Sequence, residues 1–403
     1  MRMTHGRRIV TPILPLAAVI AAGACLAETT TLSYGGYVKF DALSTYYRNG
    51  DVASGSPLRD MHLPSQIPVG ETDENYDLDF HIKESRFHIQ TLTPVGERTL
   101  RSFVEMDFLL SKQGDEKVSN SFNPRLRHFY FEYGDWLFGQ TWTNFMIIIL
   151  PDDLDFSGAA EGIVFGRQPQ IRWSRGPWRI ALENPESIVT IDDGGTPLSV
   201  VTESGRLPDL TVHREFAGDW GSCGVALVGR QIYYKGPEVT DPTRSVDDQE
   251  FGFGVSAGTR IKVGQRDELL AQATAGQGLG RYTALNYVNS AALDDNGKLH
   301  AIDLVCGFVG YRHWWNEKLR SSANVSLFTA DNPASVTGGG VNKEAQSYSL
   351  NLLYSPTPKL TFGAEVMHAR RVLEDGTDGA FDRLQLSARY DFGYSSDQDV
   401  REK

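Results

Sequence analysis

Apolar and polar residues alternate along most of the chain, in segments of about ten residues. In the first segment Leu32, Tyr34 and Val38 occupy even positions, while the charged residues Lys39 and Asp41 occupy odd ones. Successive side chains of a β-strand point to opposite faces, so a period of two predicts half-buried strands. The pattern therefore predicts an all-β protein.

Sixteen such segments follow one another without a linker, a heptad pattern or a short repeat. They cover 31–46, 79–93, 99–110, 125–133, 136–144, 166–174, 178–184, 208–217, 221–234, 249–262, 267–282, 299–314, 318–329, 346–355, 359–370 and 382–392. Short turns and long polar loops alternate between them, as in outer-membrane barrels. In a soluble sandwich the apolar faces would instead form the core. The even count and the alternating loops favour a 16-stranded antiparallel transmembrane β-barrel, which is wide enough to enclose water.

The N-terminus predicts export. Arg2, Arg7 and Arg8 precede an apolar stretch that ends at Ala27, a plausible cleavage point, so residues 1–27 are expected to be a cleaved signal peptide. Cys25 leaves open the alternative of a lipoprotein. Residues 28–392 would then be the barrel and 393–403 a short polar tail. We expect the protein in the outer membrane of a Gram-negative bacterium, in contact with its lipid and lipopolysaccharide.

Charge and cysteine content narrow the function further. The chain has 51 acidic and 39 basic residues, and loss of the signal peptide would make the charge more negative still. This balance argues against a nucleic-acid partner, which needs a basic face. Cys223 and Cys306 lie in apolar strand patterns, which favours unpaired small hydrophobic residues over a disulfide.

If the apolar face of each strand meets lipid, the opposite face lines the lumen. That inward set is Lys39, Arg86, Arg101, Glu105, Arg172, Arg179, Glu183, Arg260, Lys262, Arg320, Glu365, Arg383 and Arg389. The alternation does not assign a face to Arg125, Arg127 or Arg230. Any one of these arginines could serve in a salt bridge of the wall, but as a set they predict a lumen that favours anions.

The stretch from Trp136 to Arg172 is the candidate constriction. It reads as a strand, a long loop and a returning strand, and the loop carries Asp152, Asp153, Asp155 and Glu161. Either this loop folds into the lumen with its carboxylates facing arginines, or it is a surface loop with a solvated acidic tip. Its apolar run 145–150 is expected to pack against a partner that the sequence does not identify.

Several motifs resemble those of DcaP-like outer-membrane porins. They are Tyr34-Gly35-Gly36-Tyr37, Ser85-Arg86-Phe87, Arg125-Leu126-Arg127-His128-Phe129, Gly139-Gln140-Thr141-Trp142-Thr143-Asn144-Phe145, Arg167-Gln168-Pro169-Gln170-Ile171-Arg172 and Glu183-Asn184-Pro185-Glu186. The resemblance implies a homotrimer of sixteen-stranded barrels whose third long loop lies in the lumen and which passes small anions such as dicarboxylates. Two features depart from the family pattern. Met146-Ile147-Ile148 replaces the acidic residues expected after Phe145. Barrels of this kind usually end on an aromatic residue, whereas here residues 393–403 follow Tyr390-Asp391-Phe392.

Two other function classes compete with a diffusion channel. Gly254-Val255-Ser256-Ala257-Gly258 matches a hydrolase nucleophile pattern, but that pattern needs a strand, a sharp turn and a helix, whereas this one lies within a strand. The alternatives are a barrel enzyme, such as a lipid hydrolase, and a structural barrel with a plugged lumen. Asp192-Asp193 and Asp294-Asp295 read as solvated loop tips rather than calcium sites, so we expect no metal, no cofactor and no catalytic residues.

Overall fold

The computed structural model describes residues 29–110, 119–193, 196–202, 205–237 and 245–396. The predicted signal peptide, residues 194–195 of one acidic loop tip, and the end of the polar tail lie outside these ranges. The strands are β1 Thr31–Tyr47, β2 Asn75–His81, β3 Arg86–Val95, β4 Arg98–Asp107, β5 Arg125–Tyr133, β6 Trp136–Trp142, β7 Arg167–Arg175, β8 Trp178–Glu183, β9 Ile188–Asp193, β10 Thr196–Val201, β11 Asp209–Gly218, β12 Gly221–Pro237, β13 Ser245–Val263, β14 Asp267–Gln277, β15 Ala291–Leu293, β16 Leu299–Ala301, β17 Asp303–Trp314, β18 Leu319–Asp331, β19 Asn342–Thr357, β20 Leu360–Leu373 and β21 Asp378–Ser395.

Seventeen of these strands form one antiparallel sheet. β2 pairs with the second half of β1 and β3 with its first half, so the two are one wall strand interrupted at residues 82–85. β21 pairs with β1 from Ser33↔Ser395 to Tyr47↔Phe381 and closes the sheet. Within the described ranges the wall thus has sixteen strands, and the predicted barrel is confirmed. Its last strand runs to Ser395, beyond the expected end at 392.

The apolar face of the wall points outward, as the alternation predicted. Leu32, Tyr34 and Val38 are between 46% and 48% exposed, whereas Lys39 and Asp41 are at most 4% exposed. This is the inverse of a soluble sandwich, because the charged side chains are enclosed and the apolar ones are bare. An apolar outer band of this kind is what a bilayer covers.

The long connections are all at one end of the barrel. They contain a second sheet, in which β9 pairs with β10 and β15, and β15 pairs with β16. They also contain the four-residue helix α1 Ala334–Thr337 and 3-10 turns at Pro57–Arg59, Pro64–Gln66, Ala160–Gly162 and Gly280–Tyr282. Among the residues placed by the structure, no helix has the length and apolar character to cross a membrane.

Candidate functional site

Residues 143–166, here called the lumen loop, leave the end of β6 and run along the inner wall before returning to β7. The apolar run at the start of the loop packs on β12 and β13. Glycines make room for it there, since a Cβ at Gly224 or Gly258 would lie 3.1 or 3.2 Å from the Cγ2 of Ile147. The partner of this run, which the sequence did not identify, is therefore the inside of the barrel wall.

The acidic segment of the lumen loop continues past β18 to β21. Asp152 accepts a 2.6 Å hydrogen bond from Arg320 on β18, and Asp153 accepts one of 2.7 Å from Asn324 on the same strand. The backbone amides of Leu154 and Asp155 both donate to Glu365 on β20, at 2.7 and 3.0 Å. These hydrogen bonds fix the loop to β18 and β20, on the side of the barrel opposite β6 and β7.

Asp155 and Glu161 connect the lumen loop to the first outer loop, residues 48–74. The Asp155 carboxylate lies 3.2 Å from Arg383 and accepts the His62 backbone amide at 2.8 Å. Glu161 is fully buried between the His62 imidazole, 2.5 Å away, and the Ser347 hydroxyl, 2.8 Å away. These two carboxylates therefore hold the loop in place, and they do so from buried positions rather than from open water.

The inner wall on β3, β5 and β7 carries a group of arginines. This arginine cluster consists of Arg86, Arg125, Arg127 and Arg167, with the carboxylates of Glu105 and Asp107 among them. Glu105 lies 2.7 Å from Arg127 and 3.6 Å from Arg86, and Asp107 lies 2.6 Å from Arg125. Within the described ranges no carboxylate lies within ion-pair distance of Arg167. Three guanidinium groups thus share two carboxylates and the fourth, Arg167, pairs with neither, so the cluster has an excess of positive charge.

A β-bulge explains why alternation did not assign a face to Arg127. Between β4 and β5 the register passes from Glu105↔His128 to Met106↔Leu126, so Arg127 on β5 has no residue of β4 opposite it. A bulge of this kind places two adjacent side chains on one face. Both Arg127 and His128 are accordingly buried inside the barrel. Arg230 is also enclosed, where it donates to Gly278 and Ser187.

Aromatic side chains cover the arginine cluster. The Phe156 ring of the lumen loop lies 5.5 and 5.3 Å from the guanidinium carbons of Arg125 and Arg127, and the Trp142 ring lies 4.8 Å from that of Arg167. Arg86 and Arg127 of the cluster line a cavity of about 210 Å³ between the loop and the wall, together with Phe156, Trp142 and the acidic Asp153 and Asp155. Arginines and aromatic rings thus face the same small gap between the lumen loop and the wall.

A wider cavity of about 870 Å³ opens on the short-turn side of the lumen loop. Arg320 and Arg389 line it, with Asp152 and the residues of two short turns. Arg389 pairs with Asp391 at 2.6 Å, and its guanidinium carbon lies 3.9 Å from the Tyr37 ring centroid. Basic and acidic side chains thus both line this wider cavity.

The pKa values of the two central aspartates of the lumen loop are shifted in opposite directions. Burial and the nearby Glu365 carboxylate raise the pKa of Asp153 well above its usual range. Burial acts in the same direction on Asp155, but the Arg383 guanidinium, His62 and the hydrogen bonds from Ser157 together outweigh it and lower the pKa of that carboxyl. The charge of Asp155 is thus compensated by Arg383, whereas the raised pKa of Asp153 favours its protonated form.

Three predicted lumen arginines lie nearer the short turns and are paired. Arg101 and Arg172 share Glu132, at 2.9 and 4.0 Å, and Arg179 lies 2.7 Å from Glu215. They form wall ion pairs away from the lumen loop.

The last predicted lumen cations are on β13. Lys262 is exposed near a turn, and the Nε of Arg260 is buried without a hydrogen-bond partner in the described structure.

Sequence reasoning did not single out Arg167, Arg312, His62 or Glu84. Arg167 is the first residue of β7, where alternation assigns no face. Arg312 lies 3.4 Å from Asp152, and Glu84 binds Lys39 from the break between β2 and β3. The one available signal was the Arg-Gln-Pro-Gln-Ile-Arg run, which contains Arg167.

The remaining candidates are parts of the wall. Ser256 accepts hydrogen bonds from Thr274 and Gln272 within the strands, at 2.9 and 3.3 Å. Cys223 and Cys306 are unpaired. No group of three or more His, Cys, Asp or Glu side chains suited to a metal occurs in the part of the chain that the structure describes.

A closed sixteen-stranded barrel with an apolar outer band and a charged, partly blocked interior defines an outer-membrane porin. The chain belongs to the DcaP outer membrane protein family, whose model matches residues 26–392. The crystal structure of the outer membrane channel DcaP of Acinetobacter baumannii is similar, with a TM-score of 0.72 and 25% identity over 90% of this chain and 97% of that one.

Two further structures share the fold at low identity. OmpT of Vibrio cholerae has a TM-score of 0.51 and 12% identity over 90% of this chain and 98% of its own. OmpF of Salmonella typhi, in complex with daunomycin, has a TM-score of 0.50 and 9% identity over 91% and 98%. No curated protein matches the chain.

Proposed function

We propose that this porin is a passive diffusion channel for small anionic solutes, including mono- and dicarboxylates. The observation that carries the proposal is the arginine cluster, in which Arg167 has no carboxylate within ion-pair distance among the described residues. A cation excess in a narrow gap between low-dielectric walls attracts anions. The planar guanidinium group also matches a carboxylate with two parallel hydrogen bonds.

The aromatic side of the gap supports passage rather than tight binding. Phe156 and Trp142 already contact the guanidinium groups, so a solute exchanges one weak contact for another as it moves. A permeant must be attracted strongly enough to enter and weakly enough to leave. At the wider short-turn cavity Arg320 and Arg389 are paired with Asp152 and Asp391, so an anion is attracted less strongly there than at the arginine cluster.

Further parts of the proposal follow from the family. The protein is proposed to act as a homotrimer, without catalysis, in outer-membrane lipid and lipopolysaccharide. It is proposed to reach that membrane after cleavage of residues 1–27.

Conductance of the refolded protein in a planar bilayer tests the proposal. We expect currents that close in three equal steps, a reversal potential in a KCl gradient that favours chloride, and current block by succinate or phthalate. A preference for potassium would contradict the anion proposal but not the porin class. A folded barrel without conductance would favour a plugged structural role.

A further inference from the structure

Outside the lumen loop, four outer connections converge on a separate cavity of about 310 Å³. Gln66 from the first outer loop, Thr190 from β9, Asn289 from the connection before β15 and Asn342 at the start of β19 line it, and Arg371 on β20 contributes its charge. The lining is dominated by carboxamide and hydroxyl groups. The cavity lies among the outer connections, whereas the wider cavity described above lies beside the short turns.

Arg371 is a half-buried cation held by neutral groups. Its Nε donates to the Asn342 carboxamide at 2.7 Å, and its Nη1 donates to the Ile67 carbonyl at 2.8 Å. Within the described residues, no carboxylate lies within ion-pair distance of it. Its neighbour Arg370 points to the other face of β20 and pairs with Asp378 at 2.7 Å. Arg371 therefore has an uncompensated charge, whereas Arg370 does not.

The amides around Arg371 are held in fixed positions. Asn289 donates to the hydroxyls of Thr190 and Ser199 at 2.9 and 2.8 Å, and Asn342 donates to the Tyr287 carbonyl at 2.6 Å. Such a lining is ordered before a solute arrives, which lowers the entropy cost of binding.

The backbone beside this lining is strained. Ala284, Leu285 and Asn286 have φ values of 49°, 56° and 61°. A single left-handed non-glycine residue is uncommon, and three in succession persist only where the surroundings enforce them. Strain of this kind clusters at ligand-binding sites.

From this arrangement we propose that the outer cavity is a separate entry site that binds one small carboxylate anion before it passes the lumen loop. Arg371 supplies the charge, and the fixed amides and hydroxyls replace the solvation shell of the anion. The inference rests on the proposed anion function. It adds a recognition step that the lumen arginines do not supply.

The experiment is succinate block of single channels, with succinate added to each side of the bilayer in turn. In the Arg371→Gln variant, the apparent Kd for block from one side should rise about fivefold, since a charge-assisted contact is lost at a partly solvated site. Block from the other side should not change. Arg370→Gln removes the same charge from the outward face of the same strand and should behave as wild type on both sides. Succinamide, a neutral analogue, should not compete with succinate.

A structural role of Arg371 would give a different result. If its bond to Ile67 only supports the first outer loop, Arg371→Gln should change the unitary conductance in KCl and alter block from both sides, and Arg371→Lys should not restore one-sided block. That result, equal behaviour of the two glutamine variants, or absence of succinate block in wild type would overturn the entry site. The reversal potential in KCl tests the anion channel separately. Chloride preference with an Arg371→Gln variant identical to wild type would remove the entry site alone.

Discussion

The imidazole Nε2 of His62 lies 2.5 Å from the carboxylate of Glu161, and both side chains are fully buried. This contact joins the first outer loop to the returning leg of the lumen loop. The backbone amide of His62 also binds Asp155. His62, a residue of the first outer loop, thus helps to fix the position of the lumen loop.

Replacement of His62 by alanine should loosen the lumen loop. Glu161 would retain the Ser347 hydroxyl but lose its other partner while still buried, at a cost of about 1–3 kcal/mol. We expect noisier single-channel currents and a lower temperature of barrel unfolding. His300→Ala removes an imidazole that binds Asp294 in an exposed outer connection and provides the control. If both variants gave currents as quiet as wild type, His62 would not be holding the loop.

Replacement of Arg167 by glutamine should weaken the preference for chloride. A unit charge contributes roughly 0.7 kcal/mol to the energy of an ion that passes at about 6 Å in water, which is about a threefold change in local anion concentration. The reversal potential in a KCl gradient at low ionic strength measures this change. Arg214→Gln is the matched control, because Arg214 contacts the outward rings of Trp178 and Phe216. Equal shifts in both variants would show that total charge, rather than the cluster, sets selectivity.

The Asp155–Arg383 pair should show strong coupling. Asp155→Leu or Arg383→Met alone leaves a buried charge unpaired and should destabilise the barrel by about 3–5 kcal/mol. The double variant removes both charges and should be more stable than either single one. Thermal unfolding of the four proteins completes a double-mutant cycle. Strictly additive effects would indicate that the two groups act independently.

Selectivity should depend on pH through Asp153. Because its pKa is raised, Asp153 keeps its proton at pH values where an ordinary aspartate has lost it. An increase in pH through that raised pKa adds a negative charge to the lumen loop, so the preference for chloride should fall. The same shift makes the folded state less stable as pH rises through it, since the folded form binds the proton more tightly.

Reversal potentials measured across a pH series test this dependence. Asp153→Asn cannot ionise and should hold the low-pH selectivity at every pH. Glu97→Gln, in the exposed short turn between β3 and β4, is the control and should keep the wild-type dependence. A pH profile unchanged by Asp153→Asn would assign the titration to another group.

Alternation in the sequence was sufficient to predict the barrel. Each predicted segment corresponds to a wall strand, because a period of two records which face meets lipid and the bilayer requires every wall strand to follow it. The rule fails where the backbone departs from regular pleating. The bulge in β5 turns Arg127 and His128 to the same face of the wall. The break at residues 82–85 brings Glu84 into contact with Lys39.

The site was harder to predict than the wall. The sequence indicated that Asp152, Asp155 and Glu161 belong to one acidic loop, but not that each would be engaged by its own wall or outer-loop partner. Those partners depend on the path of the loop, which alternation does not describe. Arg167 lies at a strand end, and it matters for selectivity because no carboxylate of the described residues lies within ion-pair distance of it. An unpaired charge can be recognised only once its neighbours are known.

The reach of the lumen loop also has a consequence for biogenesis. Asp152 binds a residue 168 positions later in the chain, and Asp155 binds one 228 positions later. Contacts between residues so far apart form slowly, because the intervening chain must be ordered first. Here that chain includes nearly all the strands that complete the wall. Residues 143–166 can therefore adopt their final path only after β21 has joined β1, so a newly inserted barrel should pass through a wide, unselective stage before it matures into a narrow channel.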